Sequence, residues 1–200
     1  MKKVPYVLLL FRLLCGPAMI ALCYFPFDGL RATLGIFITL GILSDIFDGI
    51  IARKTGISSE KLRRMDSQTD LVFWVCAGWC AWLLEPALIS SHKIPIITIF
   101  VMEALTYVIS VAKFGKETCT HALLSKLWGI TLFAAFIGII GFGYAGATFY
   151  IMFTVGIIAH LDVYLIILLL RDWTHDVPSS WHALQLRKGK IIKRNDLFNG

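Results

Sequence analysis

The sequence predicts an all-α integral membrane protein with six transmembrane helices, and three observations lead to this fold class. Hydrophobic residues make up 58% of the 200 residues and charged residues only 16%, which is too apolar for an ordinary soluble domain. Apolar runs recur along the chain, each near the roughly 20 residues that a helix needs to cross a bilayer. Lysine and arginine lie in short segments between these runs, as in cytoplasmic loops, so the net charge of +6 does not indicate nucleic acid as a partner.

The spans are predicted at 4–26, 30–53, 64–89, 94–113, 124–145 and 148–171. The chain begins like a signal peptide, but Arg12 interrupts the apolar core, so we interpret this segment as a retained first helix. Basic residues favour one side of the membrane, and the positive-inside rule therefore places both termini in the cytoplasm. The residues counted on that side are Lys2, Lys3, Arg53, Lys54, Lys61, Arg63, Arg64, Lys113, Lys116, Lys126 and Arg171.

We expect one transmembrane catalytic domain, residues 1–171, followed by a basic cytoplasmic tail, residues 172–200. The tail mixes Trp173 and Trp181 with lysine and arginine, which favours a segment lying on an anionic membrane surface. A disordered basic tail is the alternative. The five cysteines contain no C-x-x-C pair, so we interpret them as small apolar side chains.

One short stretch, SDIFDGIIARKTGISSEKLRRMDSQTD, holds four of the nine aspartates: Asp45, Asp48, Asp66 and Asp70. At about 3.6 residues per turn, the first two share a face of the second helix and the last two lie one turn apart on the third. Ser58 or Ser59 is suited to cap the third helix. Two helical faces can therefore bring the four carboxylates together at the cytoplasmic end of the helices.

Four carboxylates beside hydrocarbon would repel one another unless cations lie between them. All the candidate ligands are oxygens, and no cysteine or histidine stands at matching spacing. Hard divalent cations prefer such ligands. The sequence therefore predicts a site for Mg²⁺ or Mn²⁺.

The same residues carry a resemblance to a known family. Asp45-x-x-Asp48-Gly49-x-x-Ala52-Arg53, followed by Asp66-x-x-x-Asp70, resembles the signature of the CDP-alcohol phosphotransferases, integral membrane enzymes of phospholipid synthesis. In the first helix, Arg12 five residues before Pro17 is similar to the phosphatidylglycerolphosphate synthase branch. One departure is Leu62, which stands where the family pattern has a second glycine that allows close approach to the nucleotide.

The resemblance implies a role for each residue of the motif. Asp45, Asp48, Asp66 and Asp70 would hold two metal ions, and Asp70 would also be the general base for the acceptor hydroxyl. The CDP moiety would lie against Asp48, Gly49, Ala52 and Arg53. The expected reaction transfers the phosphoalcohol of a CDP-linked alcohol, CDP-diacylglycerol being the expected donor, and releases CMP. The resemblance also implies a homodimer.

Three further polar residues could line an acceptor pocket. Glu103 and Asp162 lie about ten and nine residues from the basic ends of their helices, so both are expected at a depth close to that of Asp45, with His160 nearby. They could equally pair with each other, or with a serine or a tyrosine, in a purely structural role. Lys126 is similar to a basic position that some relatives use near an acceptor phosphate, although a snorkelling anchor explains it as well.

Two other functional classes use intramembrane carboxylates. An aspartate-rich membrane prenyltransferase needs acidic motifs on two well-separated helices, whereas both acidic pairs here flank a single loop. A small carboxylate-dependent transporter is expected to show broken helices or repeats in its two halves, and the sequence has neither. A CMP-release assay separates the phosphotransferase from both alternatives.

Overall fold

The computed structural model describes residues 3–57 and 59–192, and within these ranges the chain is helical without a strand. The predicted all-α class is confirmed. Lys2, Ser58 and the end of the tail, residues 193–200, lie outside the described residues. The α-helices of the described part are α1 (Val4–Cys23), α2 (Leu30–Lys54), α3 (Glu60–Leu84), α4 (Pro86–Ser91), α5 (Lys93–Phe114), α6 (Leu123–Phe136), α7 (Ala147–Leu169) and α8 (Ser180–Arg187).

Five helical segments of the described part are long and apolar enough to cross a membrane. They are α1, α2, α5, α7, and α6 continued by a π-helical turn, Ile137–Gly141. The third predicted span, now α3, does not reach this apolarity because its first turns carry the charged residues of the acidic motif. Six crossings and cytoplasmic termini therefore stay predictions.

The boundaries of α3 differ from the predicted 64–89. The helix begins at Glu60, because the Ser59 hydroxyl accepts a hydrogen bond from the Leu62 N–H at 3.3 Å and caps its first turn. It ends at Leu84, and the short α4 begins afresh at Pro86, since proline suits the first position of a helix but not its interior.

The ends of α2 and α3 far from the acidic motif are joined by Arg31. Its guanidinium lies 2.5 Å from Glu85 Oε1 and donates to the Ile140 carbonyl oxygen at 2.9 Å. That carbonyl belongs to the π-helical turn, where regular α-helical hydrogen bonding is interrupted. The Arg31 side chain therefore connects α2 to the end of α3 and to the π-helical turn that follows α6.

The main core lies between α1, α2, α3, α6 and α7. Its fully buried side chains include Met19, Leu34, Ile38, Phe73 and Ile140. Large apolar side chains such as Val7, Ile97, Val108 and Leu168 are more than half exposed on the outer faces, as expected where a helix faces lipid instead of water. α3 packs along α1, which brings its acidic turns against the middle of α1.

The chain beyond α7 folds back onto the helices. The Val177 N–H donates to the Thr120 carbonyl at 2.8 Å, and the Leu123 N–H donates to the Pro178 carbonyl at 3.0 Å. Val177 and Ala183 are fully buried. The first part of the predicted tail therefore packs against the α5–α6 loop and α7, while the division at residue 171 stays a prediction.

Gly41 of α2 permits the close approach of α3. A Cβ atom at this position would lie 2.7 and 2.8 Å from two ring carbons of Phe73 and closer still to Cζ. Because Phe73 is 1% exposed, its ring has little room to move. We predict that Gly41→Ala lowers the free energy of unfolding by about 1–3 kcal/mol, the usual cost of overpacking, as measured by unfolding in detergent.

Gly78→Ala is the matched control, since a Cβ there meets no atom within 4 Å. This change should be neutral or stabilise the protein by about 0.5–1 kcal/mol, because alanine favours a helix interior. Equal effects of the two substitutions would contradict the role given to Gly41.

Candidate active site

The turn between α2 and α3 brings the acidic motif together. α2 ends at Lys54, Gly56 adopts φ +66°, and α3 begins at Glu60, directly after its Ser59 cap. A left-handed φ is easily adopted by glycine and lets the chain reverse within a few residues. The last turns of α2 and the first turns of α3 consequently lie side by side.

Three of the four aspartates form one compact group. One carboxylate oxygen from each of Asp45, Asp48 and Asp66 lies within 4.8 Å of the others. Asp48 and Asp66 are buried, whereas the side chains of Asp45 and Asp70 are 39% and 33% exposed. The spacing argument from the sequence thus identified residues that do meet in space.

Arg12 of α1 lies in the centre of the carboxylates. Its Nη2 donates to Asp66 Oδ1 at 2.5 Å and to Asp48 Oδ2 at 3.2 Å. Its Nη1 lies 2.6 Å from Asp45 Oδ1 and 2.9 Å from Asp70 Oδ1, as ion pairs without hydrogen-bond alignment. One side chain, only 1% exposed, therefore contacts all four aspartates.

Sequence reasoning did not place Arg12 in the site, although a signal was present. Arg12 is the one charged residue between Lys3 and Asp28. A charged side chain inside an apolar span is costly and usually has a partner of opposite charge. That rule, applied to the first helix, would have paired Arg12 with the acidic motif.

The carboxylate group fits divalent cations. With all four aspartates ionised, the single positive charge of Arg12 leaves a formal charge of −3. The converging donors are carboxylate oxygens, two of them buried, and Mg²⁺ and Mn²⁺ prefer such ligands. Asp45, Asp48 and Asp66 are therefore suited to hold one ion, and Asp70 borders the same space.

A cavity of about 820 Å³ opens beside the carboxylates. At its polar end it is lined by Asp45, Gly49, Arg53, Asp66 and Asp70. It continues between apolar and aromatic side chains of α3, α5, α6 and α7, such as Trp82, Ile96 and Met152. The cavity therefore joins an acidic end to a long apolar interior.

Of the two small residues of the α2 motif, Gly49 borders the cavity and Ala52 does not. A Cβ at Gly49 would lie 3.3 Å from Arg53 Nη1, so the missing side chain lets the guanidinium fold back over α2. Ala52 is buried against Leu62 and Leu9 and does not line the cavity. Leu62, the departure from the family pattern, thus fills the space on the Ala52 side.

The three residues predicted to line an acceptor pocket do not all lie at the same cavity. Lys126 and Glu103 line the same cavity as the carboxylates. Asp162 does not, because its Oδ1 accepts the Ser180 N–H at 3.0 Å at the start of α8. The depth argument therefore placed Glu103 near the site but did not anticipate the role of Asp162 in holding the returning chain.

Glu103 pairs with His160 across the cavity wall. His160 Nδ1 lies 2.6 Å from the Gly156 carbonyl, and Nε2 lies 2.9 Å from Glu103 Oε2. The imidazole therefore connects the Gly156 carbonyl of α7 to the Glu103 carboxylate of α5 through its two ring nitrogens.

His121 was also missed by sequence reasoning. Its Nε2 lies 3.3 Å from Asp66 Oδ2, and its Nδ1 lies 3.5 Å from Asp176 Oδ1 and 2.9 Å from the Cys119 carbonyl. No spacing rule connects residues 66, 121 and 176. Only the fold of the α5–α6 loop and the returning chain brings them together.

Two loop residues near the site have shifted pKa values. Burial alone would raise the pKa of Asp176, but hydrogen bonding by His175 and the charges of His121 and Arg63 lower it to about 2. Burial raises the pKa of Cys119 to about 12. Asp176 is therefore ionised at neutral pH, whereas the Cys119 thiol stays protonated and is a poor metal ligand.

Comparison with known proteins agrees with the geometry. A search of curated proteins and a search of solved structures each gave no match. The family model described as CDP-alcohol phosphatidyltransferase matches residues 2–168, which include the four aspartates and Arg12. Because this match spans most of the chain, the protein belongs to the CDP-alcohol phosphatidyltransferase family, integral membrane enzymes that transfer a phosphatidyl group from a CDP-alcohol to an acceptor.

Proposed function

We propose that the protein is a metal-dependent phosphotransferase of phospholipid synthesis that uses CDP-diacylglycerol as donor and releases CMP. The observation that carries this proposal is the convergence of four aspartates at one end of a cavity whose interior is apolar. Such a cavity suits a substrate with a charged diphosphate and long acyl chains. The prenyltransferase and transporter alternatives have no comparable support from the family match.

Asp45, Asp48 and Asp66 would hold a divalent cation, and Asp70 would contribute to a second. Two such cations, when bound, stabilise the entering and leaving oxygens of an in-line displacement at phosphorus. Arg53, folded over Gly49 at the cavity wall, is placed to pair with the diphosphate. Ala52 would contribute to the CDP site only indirectly, through its packing against Leu9 and Leu62.

Asp70 is the proposed general base. It lies one turn beyond Asp66 on α3, and its side chain is 33% exposed toward the cavity, against 6% for Asp66. It would accept the proton of the acceptor hydroxyl as the acceptor oxygen bonds to the phosphorus that bears diacylglycerol. The bond from that phosphorus to the bridging oxygen breaks, and CMP leaves with the oxygen.

Lys126 and Glu103 are the proposed acceptor side of the site, because both line the cavity. Lys126 would favour an anionic acceptor, and Glu103 with His160 would favour a hydroxyl. We further propose that the active site faces the cytoplasm and that the protein is a homodimer, as the family resemblance implies.

We predict that CMP release requires Mg²⁺ or Mn²⁺ and is abolished by Asp45→Asn, Asp48→Asn or Asp66→Asn, since each removes an anionic ligand. The measurement is CMP formation from CDP-diacylglycerol with a panel of acceptor alcohols, using purified protein. Asp172→Asn, at an exposed position, is the matched control and should be fully active. Robust CMP formation in excess chelator would refute the metal requirement.

We predict that Asp70→Asn lowers turnover by a factor on the order of 10²–10⁴ while binding of the CDP substrate stays nearly intact, because a general base acts on the transition state. Nucleotide binding and turnover of this variant are measured side by side. If Asp70 were chiefly a metal ligand, both would fall in parallel, and the assignment as base would be wrong.

We predict that the α2–α3 turn is cytoplasmic. A cysteine introduced by Lys61→Cys should react with a membrane-impermeant maleimide only after cells are opened, whereas Ser91→Cys should react in intact cells. Both positions are exposed and lie at opposite ends of the α3–α4 segment. The reverse pattern of labelling would contradict the orientation derived from the loop charges.

A further inference from the structure

The segment after α7 contacts the site although it lies beyond the family match, which ends at residue 168. Asp176 and Val177 run beside the α5–α6 loop, where the Val177 N–H donates to the Thr120 carbonyl at 2.8 Å. Both residues are buried. Asp176 is thus held inside the protein by its own N–H group, which donates to the Cys119 carbonyl at 3.4 Å, and by that of Val177.

His121 and Asp176 share an unusual backbone conformation. Their φ values are +46° and +56°, and within the described residues only these non-glycine positions have positive φ. The left-handed region is unfavourable for a residue that carries a side chain. Their side chains approach each other, with His121 Nδ1 3.5 Å from Asp176 Oδ1. Such conformations persist where the surrounding structure determines them.

These contacts form a continuous chain to the carboxylate group. Asp176 Oδ1 lies 3.5 Å from His121 Nδ1, an electrostatic contact without a hydrogen bond, because that nitrogen also lies 2.9 Å from the Cys119 carbonyl oxygen. On the other side of the ring, His121 Nε2 lies 3.3 Å from Asp66 Oδ2. Asp176 Oδ2 lies 3.2 Å from Arg63 Nε and 2.7 Å from His175 Nδ1. Because Arg63 stands one turn before Asp66 on α3, Asp176 is tied to this helix directly and through His121.

We propose that Asp176 is a positioning residue for the metal site, holding His121 so that its ring fixes the Asp66 carboxylate. This inference rests on the proposed function, in which Asp66 is a metal ligand. Groups that orient a ligand from behind commonly change metal affinity by 10–100-fold. The returning chain of this protein therefore completes a site whose ligands lie on α2 and α3.

The test is Mn²⁺ binding to the full-length protein in detergent, followed by the electron paramagnetic resonance signal of the free ion. Asp176→Asn keeps the size of the side chain but removes its charge, and we expect it to weaken Mn²⁺ binding about tenfold or more. The control is Trp173→Phe, which removes the hydrogen bond from Trp173 Nε1 to the Glu117 carbonyl. This bond ties the same segment to the same loop without touching His121, so Mn²⁺ affinity should change less than twofold.

A second variant, His121→Gln, tests the connection separately and leaves the Asp176–Arg63 pair in place. If Asp176 acts through His121, the double variant should lose little more affinity than His121→Gln alone, because coupled residues are not additive. Wild-type affinity in either folded single variant, additive losses, or an equal loss in Trp173→Phe would overturn the proposal. Absence of Mn²⁺ binding by the wild-type protein would overturn the proposed metal site together with it.

Discussion

The arrangement of the helices depends on the ion pairs between Arg12 and four aspartates. A guanidinium in an apolar span and four carboxylates at the end of two others are each unfavourable alone, because burial of an unpaired charge costs several kcal/mol. Together they neutralise part of one another and join α1 to α2 and α3 at a single point. The remaining negative charge suits the group to hold a cation.

Close packing of α1, α2 and α3 supports the contact between Arg12 and the aspartates. A Cβ atom at Gly16 of α1 would lie only 3.0 Å from the sulfur of Cys76, and a Cβ atom at Gly41 of α2 would meet the ring of Phe73. Small residues that allow backbones to approach are typical of helix contacts in membranes, where the hydrophobic effect drives no association. This close packing sets the distance between the helices and therefore also the spacing of the carboxylates that they carry.

Much of the fold and part of the site could be predicted from the sequence, for identifiable reasons. The 3.6-residue period placed Asp45 with Asp48 and Asp66 with Asp70, and a short turn required the two pairs to meet. The break at Glu85 was missed because the apolar run continues through Pro86. Contacts of His121 and Asp176 depend on loop conformations with positive φ, which no periodicity encodes. Local rules therefore identify the aspartates that converge but not the loop residues that contact them.

Leu62 shows how a departure from the family pattern can shape the site. A glycine there would leave space beside Ala52, but Leu62 is 3% exposed and fills that space together with Leu9. The cavity instead borders Gly49 and Arg53 on the neighbouring part of α2. In the proposed function, a nucleotide held at the aspartates would therefore meet α2 on the Gly49 side, where Arg53 lines the cavity. Leu62 thus closes the Ala52 side of the site, and the Gly49 side is the one that the cavity borders.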